Sequence, residues 1–195
     1  ARLGAKAAGL QRHWLVVQGG EGALPGLVDR LRARGDACSE LPLDADVAPA
    51  ELTARWRAKL AQLRAQGTPV TDVVHAGLLG IPKWDDAASP AEACFTPAGV
   101  TGVLSLAQAL IQEQPHARLN VLTRGAQPAS VLDRTTTPLQ AAAWGLARTM
   151  ALEYAQPRCI CIDLDPAQGD ESEIDRVVGE LLSTGDERQV ALRAG

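Results

Sequence analysis

The stretch PLQAAAWGLARTMALE, residues 138–153, followed closely by RCICIDLDP, residues 158–166, leaves little freedom in how this chain can fold. Pro138 suits the first turn of a helix, where a missing amide donor costs nothing, and Thr137 before it is a candidate N-cap. Leu139, Ala143, Leu146 and Met150 recur at helical spacing and form one apolar stripe. Trp144, Ala147 and Ala151 fall on another side, so the helix has two faces to bury: one against a sheet, the other against a second surface. Ile160, Ile162 and Leu164 then alternate before Asp165-Pro166, which reads as a buried strand running into a turn.

The same alternation of strand and helix runs through the rest of the chain. Residues 1–12 are polar and alanine-rich and read as a linker; residues 13–195 read as one domain. A strand at Trp14 to Val17 turns through glycines into a helix with Leu24, Leu27, Val28 and Leu31 on one face, ended by Gly35. A second strand around Ala37 to Leu41 precedes a helix from about Pro49 to Gln66, with Leu52, Trp56, Leu60 and Leu63 at helical spacing and Gly67 and Pro69 closing it. Thr71 to His75 is the third strand, Gly77 to Pro97 an irregular stretch, and Pro97 to Gln114 the next helix. Leu119 to Thr123, then Gln189 to Leu192, complete the strands, with an acidic-started helix over 170–184 between Pro166 and the last. Connections this short, each holding a helix, predict an α/β fold: a truncated, Rossmann-like, doubly wound parallel sheet of about six strands with helices on both faces. The chain stops just after a strand, and we expect it to be a piece of a longer polypeptide.

Trp144-Gly-Leu-x-Arg148, then Glu153, Arg158-Cys159 and Ile162-Asp163-Leu164-Asp165-Pro166 resemble the structural, N-terminal subdomain of a modular type I polyketide synthase ketoreductase. The likeness continues through Glu187-Arg188-Gln189-Val190-Ala191-Leu192-Arg193 and more weakly at Trp14. It implies a short-chain dehydrogenase-like fold that is itself non-catalytic and supports a second, catalytic half. That half would use NADPH to reduce a β-ketoacyl group carried on a phosphopantetheine arm. The partners implied are that catalytic subdomain in the same polypeptide, the other synthase domains and the acyl carrier protein. By the same resemblance this segment is not an enzyme, while the parent synthase is a multidomain acyltransferase.

Composition excludes other classes. A net charge of -4, a pI near 5.4 and the lack of any basic run argue against nucleic acid, because phosphate contacts need clustered Lys or Arg. No apolar run approaches a membrane span, and residues 1–12 lack the apolar centre of a secretory signal, so the expected location is cytoplasmic and no membrane partner is expected. Cys38, Cys94, Cys159 and Cys161 show no metal-ligand spacing and read as small buried hydrophobes.

A glycine-rich turn after the first strand is where such a sheet would hold a dinucleotide. Here the turn is Gly19-Gly20-Glu21-Gly22-Ala23-Leu24-Pro25. Pro25 replaces the third glycine and removes an amide donor, and Glu21 would set a carboxylate against a pyrophosphate. We read Gly19, Gly20 and Gly22 as a degenerate turn, with no cofactor bound by this segment. Short-chain reductases protonate the reduced carbonyl with a tyrosine whose pKa is lowered by a lysine, usually about four residues on in the same helix. The chain has one tyrosine, Tyr154, and no lysine after Lys83, so that pair cannot exist. By resemblance Gln140 stands at the tyrosine position and Trp144 at the lysine position. Asp163 and Asp165 read as strand-end turn chemistry. His13, His75 and His116 sit in no zinc or nucleophile motif, and Trp56 and Trp84 read as packing. No catalytic or metal-ligating residue is expected.

The functional surface expected is therefore an interface to the catalytic half, formed by Trp144, Ala147, Arg148 and Ala151 with the last strand. Two further readings are a pseudo-ketoreductase scaffold in a non-reducing module and a self-contained short-chain oxidoreductase.

Overall fold

The computed structural model describes residues 12–19, 23–43, 47–82, 89–129, 137–156, 158–167 and 172–193. Its strands are β1 (His13–Gln18), β2 (Ala37–Pro42), β3 (Asp72–His75), β4 (Arg118–Arg124), β5 (Cys159–Leu164) and β6 (Gln189–Ala191). The helices are α1 (Leu27–Ala33), α2 (Pro49–Ala65), α3 (Pro90–Cys94), α4 (Val100–Glu113), α5 (Pro138–Glu153) and α6 (Glu173–Leu181). All strands pair in parallel, in the order β2-β1-β3-β4-β5-β6. The chain winds outward from β1 to β2, then returns to the other side of β1, which is the doubly wound pattern expected. A dinucleotide fold in the order 3-2-1-4-5-6 carries two strands beyond its first; among the described residues this sheet carries β2 alone there, and in that sense it is truncated.

Both sheet faces are covered, which is why β3 and β5 are buried along their whole lengths and β5 reads as a near-continuous apolar run. On one face Leu15, Val73, Leu119 and Cys161 meet Leu52, Trp56 and Leu60 of α2, Leu106 and Leu110 of α4, and Ala143 and Met150 of α5. On the other, Trp14, Val16, Leu122 and Ile162 meet Leu27 and Leu31 of α1 and Val177 and Leu181 of α6. The helix-stopping glycines act as expected: Gly35 and Gly67 lie at φ 94 and 74, where a Cβ would be strained. The region from Gly77 to Pro97, read as irregular, contains a 3-10 turn at Gly77–Gly80 and α3. A helix of 5 residues is too short to show a 3.6-residue pattern.

At the N-terminal edge of the sheet, Asp72 binds Arg118 at 2.8 Å and Arg12 at 3.7 Å. Both guanidiniums also donate to the carbonyl of Leu181, at the C-terminal end of α6, where cations offset the helix dipole. Arg12, placed in the linker by the sequence, is thus anchored to the domain and also lies over the Trp14 ring.

Candidate functional site

In a sheet of this topology a ligand would sit at the C-terminal ends of β1 and β3, where the winding reverses. Leu43, just past β2, lies against both glycines of the crevice: a Cβ on Gly19 would stand 3.2 Å from its amide nitrogen, and one on Gly77 would stand 2.3 Å from its Cδ1. Past the turn, Leu24 N donates to Gln18 Oε1 and Leu27 N to Leu24 O. Gly20 and Gly22 lie outside the described residues, as do Glu21 and Trp84.

His75 ends β3 beneath the crevice, fully buried, its ring edge-on to Trp56 with 6.2 Å between centroids. Neither ring nitrogen makes a hydrogen bond. Burial pushes its pKa down to about 4, opposed by the backbone of His75 itself and of Pro97. A neutral, enclosed imidazole with nothing to exchange protons with is a packing group.

The helix positions corresponding to the reductase pair are occupied by residues turned inward. Gln140, 1% exposed, accepts the Arg124 amide at 2.8 Å on Oε1. Trp144 Nε1 donates to Thr123 Oγ1 at 3.0 Å, and Thr123 donates onward to Asp163 Oδ1 at 2.7 Å. Asp163, 0% exposed, also accepts the amides of Ala126 at 2.8 Å and Gln127 at 3.3 Å. Arg193 Nη2 pairs with Asp163 at 2.8 Å and also donates to the Gln127 carbonyl, while Nη1 donates to the carbonyls of Asp163, Leu164 and Leu192. Beside it Arg124 forms a two-pronged pair with Glu173, at 2.8 Å on each prong, and donates to the carbonyl of Asp165. The ends of β4 and β5 thus carry a hydrogen-bond network that ties these strand ends to α5 and to Arg193.

Thr137 stands at the N-cap of α5, the position expected of it, with its hydroxyl donating to the Arg124 carbonyl and making no cap hydrogen bond. The face assigned to Trp144 and Ala147 needs correction. Trp144 and Ala147 are not on an outward face, being 4% and 5% exposed within this chain alone. The sheet beneath α5 is wide enough to cover both apolar sides of the helix, and the indole reaches past it to Thr123. Of the four residues expected at an interface, Arg148 and Ala151 are exposed. They border a groove of about 320 Å³ between the C-terminal half of α5 and the segment leading into β6, whose lining also includes Ala147, Leu152, Cys159 and Arg188. Cys94, Cys159 and Cys161 are buried and Cys38 half-buried, all as free thiols. Among the described residues no cluster of potential ligands could hold a metal, and no helix is long and apolar enough to cross a membrane.

Residues 30–195 match the family described as the Rossmann fold domain of the polyketide synthase extender module SpnB. The chain is 33% identical over 190 residues to the pikromycin polyketide synthase component PikAII of Streptomyces venezuelae, a match covering 96% of this chain and 5% of that protein. Against polyketide synthase GfsA of Streptomyces halstedii the identity is 40% over 140 residues, covering 71% of this chain and 2% of that protein. It therefore spans a small fraction of the synthases it resembles. Among solved structures, a C2-type ketoreductase from a modular polyketide synthase is 31% identical with a TM-score of 0.74, covering 96% of this chain and 39% of that one. A short-chain dehydrogenase/reductase from Brucella ovis shares the fold at a TM-score of 0.63 with 14% identity. The sheet topology, the family match over residues 30–195 and the likeness to a solved ketoreductase converge on one statement: the chain belongs to the Rossmann-fold domain family of modular polyketide synthases and is related to their ketoreductases.

Proposed function

We propose that this chain is the non-catalytic half of a ketoreductase, whose role is to support a catalytic half elsewhere in the same polyketide synthase. That other half would reduce an acyl-carrier-bound β-ketoacyl intermediate with NADPH. The observation carrying this reading is the state of Gln140 and Trp144: both side chains are spent on Arg124 and Thr123, at the place where a reductase needs a free acid. The share of the ketoreductase chain that this segment covers, 39%, leaves room for a second unit that does the chemistry. The support is mechanical: α5, β4 and β5 form a rigid block because their ends are tied through Thr123, Asp163 and Arg193.

The test is to express the remainder of the parent ketoreductase with and without this chain. The expected outcome is soluble, NADPH-dependent reduction of a β-ketoacyl thioester only when the two are present together. Equal activity of the remainder alone would contradict the reading.

A further inference from the structure

The groove between α5 and the approach to β6 has an apolar floor and a rim of two arginines and one glutamate, with positive charge in excess. Ala147, Ala151, Leu152 and Cys159 supply the apolar surface, and Leu152 is 89% exposed, the most of any large apolar side chain in the described residues. Arg148 rises from α5 on one side and Arg188 from the segment before β6 on the other. The acid on the lining, Glu187, is already engaged: its Oε1 accepts the backbone amides of Arg188 at 3.2 Å and Gln189 at 3.4 Å. Neither guanidinium has an ion-pair or hydrogen-bond partner among the described residues.

Five other surface arginines are paired, whereas Arg34, like Arg148 and Arg188, has no side-chain partner among the described residues. Arg55 is paired with Glu51, Arg57 and Arg64 with Glu113, Arg30 with Asp175 and Arg32 with Glu40. Elsewhere on the sheet, the free edge of β2 is blunted by Arg32, which donates to the Cys38 carbonyl and pairs with Glu40, and by Pro42, which has no amide to give. At β6 the Gln189 amide is turned to Glu187.

We propose that this groove seats a segment of the catalytic half in which an aliphatic side chain fills the cavity and flanking carboxylates pair with Arg148 and Arg188. The proposal rests on the half-domain reading above. Burying Leu152 and the cavity floor supplies the affinity. The two guanidiniums supply register and select an acidic segment over a neutral or basic one.

Replacing Ala151 by the photo-crosslinking residue p-benzoylphenylalanine in the full-length synthase tests this directly. The expected adduct lies in the catalytic half, on a segment with Asp or Glu beside an aliphatic residue. Adduct yield should fall at least about tenfold on combining Arg148→Glu with Arg188→Glu, and hold with Arg148→Lys and Arg188→Lys. Unchanged circular dichroism melting of each variant separates loss of docking from loss of fold. An adduct on a basic or uncharged segment, on the acyl carrier or another domain, or no adduct in the folded protein, overturns the proposal, as does a yield insensitive to charge reversal. Failure of the half-domain reading would look different, because the catalytic half would then work without this chain; failure of the groove alone leaves that dependence intact.

Discussion

Arg193→Met is the substitution through which the tied strand ends can be weighed. The wild-type guanidinium lies 2.8 Å from Oδ2 of Asp163, a carboxylate with no solvent exposure. Methionine keeps the stem but leaves that charge with only Thr123 Oγ1 and the amides of Ala126 and Gln127 as donors. Breaking a buried pair by removing one partner costs about 3–5 kcal/mol, and the three surviving donors place this case near about 3 kcal/mol. A chain of this size loses about 2–4 °C of melting temperature per kcal/mol, so thermal unfolding should begin about 6–12 °C lower. Asp163→Asn in the Arg193→Met background should recover part of the loss, giving a double-mutant coupling of about 2 kcal/mol. Denaturant melts of the wild type, both single variants and the double variant measure it. A melting temperature for Arg193→Met within a degree or so of wild type, or additive single effects, would refute the view that this network locks the strand ends.

Three more outcomes follow from the same geometry. The folded chain keeps His75 neutral to about pH 4, whereas the unfolded chain takes up a proton near 6.5; stability present above pH 6.5 should therefore decline as pH falls toward 4, by up to about 3 kcal/mol. His75→Phe, which keeps a ring against Trp56, should flatten that limb relative to wild type in urea melts at pH 7 and 4.5, and parallel pH profiles would count against it. Gly102→Ala should be severely destabilising in thermal melts, because its Cβ would lie 1.8 Å from the backbone oxygen of Pro97. Gly145→Ala meets nothing within 4 Å on α5 and should stabilise the isolated chain by about 0.5–1 kcal/mol; the reverse ranking of the two would show the packing to be misread. Rebuilding the reductase pair with Gln140→Tyr and Trp144→Lys should yield no carbonyl reduction and a lower melting temperature, since both side chains leave bonded, buried positions.

Much of the architecture could be read from the chain. The apolar spacing of Leu52, Trp56, Leu60 and Leu63 gave α2 its buried face, and the run of Ile160, Ile162 and Leu164 gave β5, because burial against a sheet imposes those periods. The site was legible only as an absence, the missing Tyr and Lys. What replaced them was not: Asp163 looks like turn chemistry beside Asp165-Pro166, and its partners Thr123 and Arg193 are 40 and 30 residues away in sequence. No local pattern encodes such a contact. Trp144 misled for a related reason: a helical wheel assigns it to a second face, but cannot say how far a sheet extends beneath the helix or that an indole N-H will find Thr123 at a strand end.

The account stands or falls on whether this chain handles hydride. The direct measurement is equilibrium titration of NADPH into the purified chain, followed by its fluorescence, with a β-ketoacyl thioester then added and absorbance of the reduced nicotinamide monitored. With Leu43 seated against Gly19 and Gly77 and with Gln140 and Trp144 bonded to Arg124 and Thr123, the result predicted is no saturable binding and no oxidation of NADPH. Micromolar binding with turnover of the thioester would contradict it.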